Sequence, residues 1–152
     1  SLASLGGFIV ASEEVIHYVK HHARSFIFSA SMPPASIATV IAVIDIIEKE
    51  DTHIERLWQN TRKMKKAFDK MGYDTHPSQT PIIPINIGND LQTLFFARAI
   101  YEAGVFSNPV LPPGVNEGQS LVRTSYMATH SNKELDFILD TFEKVGKACN
   151  II

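Results

Sequence analysis

A chain of 152 residues with 45 % apolar and 20 % charged side chains has the make-up of one ordinary globular domain, which argues against a disordered chain. Its 14 basic and 16 acidic residues leave a formal charge of −2, so no basic excess points to nucleic acid or an anionic membrane. The single cysteine, Cys149, excludes an internal disulfide framework and a cysteine-rich zinc site.

The most apolar stretch, Ala35 to Ile47, is too short to span a bilayer and carries Asp45, so no transmembrane segment is expected. The opening SLASLGGFIVA lacks a basic leader and reads as the interior of a longer protein. Residues 8–11, FIVA, follow Gly6-Gly7 and read as a buried strand. Ser12 then caps a helix running to about Ala23, with Glu13 and Glu14 at the positive end of its dipole. Pro33-Pro34 breaks the chain, and Pro34 suits the first turn of a new helix. Ile37, Val40, Ile41 and Ile44, with Val43, Ile46 and Ile47, predict a helix buried on most of its circumference.

Asp51-Thr52 caps a further helix whose apolar face is Ile54, Leu57, Trp58, Met64, Phe68 and Met71 and which Gly72 ends. Its opposite face carries Arg62, Lys63, Lys65, Lys66 and Lys70 and reads as a solvated surface. After a loop at 74–81, Ile83, Ile85 and Ile87 alternate as a strand that Pro84 assigns to a sheet edge. A helix from about Asp90 to Gly104 follows, then a short strand at 105–107, a loop at 108–119 and a strand at 120–128. On that last strand Leu121, Arg123, Ser125 and Met127 share a face. Ser131 and Glu134 match a capping box ahead of an amphipathic helix with Leu135, Ile138, Leu139, Phe142 and Val145. The chain divides near Tyr73, into 1–72 and 73–152, the second half reading as helices on one face of a short sheet.

No catalytic constellation is complete by spacing alone. His17 and His21 stand one helical turn apart, but no H-E-x-x-H or third ligand accompanies them, so they read as surface imidazoles and no metal is expected. His130 reads as a turn residue and Cys149 as inert; phosphate-loop and nucleophile-elbow motifs are absent. Arg123 stands out as an arginine inside an otherwise apolar strand. A buried guanidinium needs an anion, and its planar fork suits a carboxylate. An internal Asp or Glu, plain exposure and a bound ligand all remain open for it on spacing.

Four stretches, SLASLGGFIVAS (1–12), ARSFIFSASMPPAS (23–36), RLWQNTRKMKKAFDKMGY (56–73) and SLVRTSYMATHS (120–131), together resemble the C-terminal part of the α-oxoamine synthases. These are pyridoxal 5′-phosphate enzymes that condense an amino acid with an acyl-CoA: serine palmitoyltransferase, glycine C-acetyltransferase and 8-amino-7-oxononanoate synthase. The resemblance implies an α/β fold, the C-terminal part of a fold-type I pyridoxal-phosphate transferase, with helices on a small, mostly antiparallel sheet. It makes 1–72 the end of the large cofactor-binding domain and 73–152 the small domain. It puts the Schiff-base lysine immediately before Ser1, so no catalytic residue falls within these residues and the piece alone is expected to be inactive. Ser29 matches a hydroxyl that contacts the cofactor phosphate of the neighbouring subunit, and Arg123 the arginine that holds the substrate carboxylate. The implied parent is a cytoplasmic homodimer using an amino acid and acyl-CoA, without nucleic acid. The phrases FSNPVLPP and VRTSYMATH resemble the serine palmitoyltransferases most, although Leu111 stands where some bacterial members carry arginine. The other reading is a non-catalytic partner subunit of the same fold. In either case apolar surface around 8–11 and 37–47 is expected to be exposed, where the rest of the large domain would pack.

Overall fold

Alternation along two isoleucine- and valine-bearing segments sends every second side chain to one side, and the core forms there. The structure, a computed structural model, describes residues 2–152. They form two compact units, divided between Asp51 and Thr52.

The second unit contains α4 (Thr52–Met71), β1 (Ile82–Gly88), α5 (Asp90–Glu102), β2 (Asn108–Val110), β3 (Ser120–Ser125) and α6 (Asn132–Ala148). The strands form an antiparallel sheet in the order β1-β3-β2. Ile83 and Ile85 of β1 and Val122 of β3 are buried beneath the three helices, so the helices cover one face and leave the other open. Phe68 of α4, Phe96 of α5 and Phe142 of α6 meet there with Tyr73, at ring-centroid separations of 5.0 to 6.1 Å. The Tyr73 hydroxyl donates to the Phe142 carbonyl at 2.7 Å. Burial pushes its ionisation well above the ordinary phenol range, so it remains a donor. Pro84 lies on an edge strand, as the alternation with proline predicts.

Three boundaries differ from the sequence reading. The strand expected at 105–107 begins at Asn108 instead, within the expected loop. Gly104 adopts a positive φ of 94°, and the Val105 amide donates to the Ile100 carbonyl at 3.0 Å. The end of α5 therefore consumes those residues before a ladder can start. Strand β3 stops at Ser125 rather than 128, because buried Asn60 of α4 donates to the carbonyls of Met127 (2.9 Å) and His130 (3.3 Å) and holds that segment as a turn. Helix α4 lies with the sheet, so the compact units part twenty-one residues before the 72/73 boundary drawn from the sequence.

The first unit holds α1 (Glu13–His22), the single turn α2 (Arg24–Ile27) and α3 (Pro34–Lys49). Pro34 opens α3 as expected. Residues 8–11 are not a strand, since among the described residues no neighbour pairs with them. Nor is α3 buried on most of its circumference: it has no buried residue. Val10 is 85 % and Ile41 57 % exposed, which meets the expectation of open apolar surface at 8–11 and 37–47. Gly6 has a φ of 123°, and a Cβ there would lie 2.5 Å from the Met32 sulfur.

Two outcomes follow from this packing. A Cβ at buried Gly146 of α6 would overlap the Tyr73 hydroxyl and sit 3.0 Å from Ile152 Cγ1. Alanine gains about 1 kcal/mol of helix propensity but incurs an overpacking cost of about 1–3 kcal/mol and disturbs the Tyr73–Phe142 bond. Gly146→Ala should therefore lower the urea midpoint. At the start of α6, the Ser131 amide donates to Glu134 and the Glu134 amide to Ser131, which closes the predicted capping box. The backbone bond, then the hydroxyl bond, holds the Glu134 carboxyl below its ordinary value of 4.5. A depressed folded value means that this contribution is present above pH 4.5 and fades as pH falls through the folded value. Glu134→Gln should flatten the acid limb of a stability–pH curve measured by urea denaturation.

Candidate active site

Strand β3 is paired on both edges, which fixes its side-chain alternation. Ser120, Val122 and Thr124 face the helices and are buried, so Arg123 faces outward. On spacing alone, an internal anion, plain exposure and a bound ligand are all open for this guanidinium. The structure selects exposure: Val122 turns to the helices, whereas Arg123 shares the outward face with Leu121 and Ser125. Among the described residues Arg123 has no salt bridge and is exposed.

Its surroundings are defined by the register. Pro84 of β1 lies opposite on one side and Asn108 of β2 on the other. Directly opposite residues project to the same face with Cβ atoms about 5 Å apart. Arg123 thus stands at the middle of the open face, between a rigid apolar ring and a neutral amide. A small cavity of about 90 Å³ at the β2 edge is lined by Asn108, Arg123 and Ser125 together with Tyr126 and, from α6, Ile138 and Phe142, so it reaches toward the covered side.

The backbone carrying Arg123 is pinned from the buried side. Thr124 Oγ1 donates to the Ile83 carbonyl at 2.8 Å, and the Tyr126 hydroxyl donates to Thr124 Oγ1 at 3.0 Å. Burial raises the Tyr126 ionisation despite that bond. Ser120 Oγ donates to Asp90 at 2.5 Å, tying the start of β3 to the start of α5. Asn108 was missed by sequence reasoning: a three-residue strand interrupted by Pro109 shows no alternation to detect.

Ser29 lies in the first unit, just beyond α2, and is exposed. It borders a concave surface of about 1020 Å³ together with Ser25, Ser31, Lys20 and the apolar side chains of Met32 and Ile41. Hydroxyls and an ammonium beside an apolar wall are donors suited to a phosphate on an aromatic ring, so this donor set fits pyridoxal phosphate chemically.

The remaining candidates form no site. His21 Nδ1 lies 2.7 Å from the His17 carbonyl, and both rings are exposed. Among the described residues no group of three metal-ligating side chains gathers. The Met127 amide donates to His130 Nδ1 at 3.3 Å, a turn contact. Cys149 is half-buried at the end of α6. No helix among the described residues is long and apolar enough to cross a membrane.

Comparison with known proteins gives consistent matches. A family model described as aminotransferase class I and II matches residues 1–142. A serine palmitoyltransferase from Bacteriovorax stolpii is 47 % identical over 99 % of this chain and 36 % of its own length. An 8-amino-7-oxononanoate synthase from Thermoanaerobacter pseudethanolicus is 38 % identical over 100 % of this chain and 38 % of its own length. A serine palmitoyltransferase from S. paucimobilis, solved with a bound PLP–myriocin aldimine, superposes with a TM-score of 0.91 at 27 % identity, over 99 % of this chain and 38 % of that one. The chain thus spans under two-fifths of the length of these proteins.

Exposed and without an internal anion, Arg123 should contribute little to stability. Arg123→Ala is expected to change the unfolding free energy by less than about 0.5 kcal/mol. A larger loss in urea denaturation would assign the arginine a structural role instead.

Proposed function

This chain belongs to the aminotransferase class I and II family, and from that membership we propose that it is the C-terminal part of an α-oxoamine synthase, nearest to the serine palmitoyltransferases. The parent reaction joins an amino acid to an acyl-CoA, releases CoA and carbon dioxide, and leaves an α-oxoamine. The observation that carries this reading is the unpaired guanidinium of Arg123, held at the centre of the sheet's open face between Pro84 and Asn108. The relatives support the choice of subclass, since the 47 % identical protein bears that name.

Arg123 binds the amino-acid carboxylate through two parallel N–H···O bonds. Because β3 is locked by both neighbours and by Thr124, the guanidinium holds the Cα end of the substrate in one place, a positioning role. Asn108 supplies a neutral donor beside it and Pro84 an apolar wall that excludes water from one flank. Ser29, with Ser25, Ser31 and Lys20 nearby, would hold the phosphate of pyridoxal 5′-phosphate in the neighbouring subunit. When bound, that cofactor supplies an electron sink for charge left at Cα. A subunit-spanning site makes the parent a homodimer, and a lone cysteine accords with a cytoplasmic location.

Two measurements on the full-length gene product test this. Borohydride reduction with added pyridoxal phosphate, followed by peptide mapping, should give an adduct on a lysine preceding Ser1. A folded protein with no adduct would favour the alternative, a non-catalytic partner subunit. In the same protein Arg123→Ala should weaken amino-acid affinity about 10- to 100-fold, the scale of a charge-assisted pair worth about 1.5–3 kcal/mol. Cofactor absorbance before substrate addition should not change. Unaltered amino-acid affinity would remove the carboxylate role.

A further inference from the structure

The basic face of α4 read from the sequence as a solvated surface is not evenly solvated. Trp58, Arg62 and Lys66 recur at four-residue intervals and form one row along the helix. Each step advances about 6 Å along the axis. The row borders a groove of about 280 Å³ whose opposite rim is the 78–80 segment, with Ser78 and Thr80. All of these residues lie in the second unit.

The ionic pairing around the groove is uneven. Lys63 is bound to Asp136, and Lys65 to Asp69 at 2.8 Å. Asp69 also accepts from Thr75 Oγ1 at 2.5 Å, so its oxygens are already engaged. Desolvation opposes ionisation there, but the bonds from Lys65 and Thr75 prevail and keep the carboxyl below its ordinary range. Arg62 and Lys66 are left with no salt bridge among the described residues. Two unneutralised cations thus share one groove in a chain whose net charge is −2. At its end stands Trp58, half-buried and without a protein hydrogen bond for its indole N–H among the described residues.

We propose that this groove binds a nucleoside phosphate, with Trp58 stacking on the base and Arg62 and Lys66 taking the phosphates. One carboxylate would engage a single cation. Two cations about 6 Å apart along the axis suit a group with several phosphate oxygens. An indole one further turn away suits an aromatic base, with stacking and guanidinium contacts reinforcing one another. Such a group could belong to a free nucleotide or to the nucleotide end of a coenzyme A thioester. The site stands on its own residues and does not depend on the role given to Arg123.

Trp58 is the only tryptophan in the chain, so its emission reports on the groove directly. The full-length gene product, with any tryptophan outside these 152 residues replaced by phenylalanine, is titrated with ADP, with adenosine and with pyrophosphate. ADP should quench Trp58 saturably, and pyrophosphate should compete for the site while quenching little. The double variant Arg62→Gln, Lys66→Gln should bind ADP at least tenfold more weakly, with an unchanged far-ultraviolet circular dichroism spectrum. Tighter binding of adenosine 3′,5′-bisphosphate than of ADP would mark the coenzyme A end as the source, and the reverse order a free nucleotide; either order upholds the site. Absence of saturable quenching by ADP overturns it. So does quenching by adenosine equal to that by ADP, or ADP affinity unchanged in the folded double variant.

Discussion

The double pairing of β3 is the constraint on which the rest of the second unit depends. A strand bonded on both edges cannot slip by one residue without reversing every side chain it carries. Val122 and Thr124 are thereby committed to the helices, and Arg123 to the open face. The aromatic cluster of Phe68, Phe96, Phe142 and Tyr73 then fills the covered side. The Tyr73–Phe142 hydrogen bond fixes how closely α6 approaches, and Gly146 leaves room for that approach. Stability and exposure of the candidate site therefore come from opposite faces of the same six residues.

Much of this order was legible in the sequence. Helical periodicity located α4, α5 and α6, the S-x-x-E pattern located the capping box, and Pro84 announced an edge. What was illegible has a common physical cause: it depended on partners distant in sequence. Asn108 belongs to a strand only because β3 pairs with it, and three residues with a central proline carry no period of their own. The end of β3 is set by Asn60, 67 positions upstream of Met127. The FIVA segment has the side chains of a strand but no paired neighbour among the described residues, and local propensity cannot supply one.

The candidate site shows the same division. Arg123 is conspicuous because a charged residue interrupts an apolar run, but spacing leaves its burial open. Its functional interest rests on its being exposed in the centre of a rigid sheet with no ion-pair partner among the described residues. The basic run of α4 shows how spacing and tertiary context combine. Five cations look alike in sequence, but Asp136 and Asp69 claim two of them, and the row through Trp58 singles out Arg62 and Lys66.

The two edge strands also share a feature with a consequence beyond the site. Each carries a proline at its interior, Pro84 in β1 and Pro109 in β2. A proline has no amide hydrogen to offer, and at an edge it interrupts the row of donors that an incoming strand would need. On the outer side of β1 the Asn86 amide already donates to the Asp74 carbonyl at 2.8 Å, so bridge and prolines together hinder extension at both edges without a barrel. Without the prolines the sheet would offer two ready templates for edge-to-edge pairing. The prolines confine its associations to side-chain surfaces, where complementarity rather than backbone pairing selects the partner.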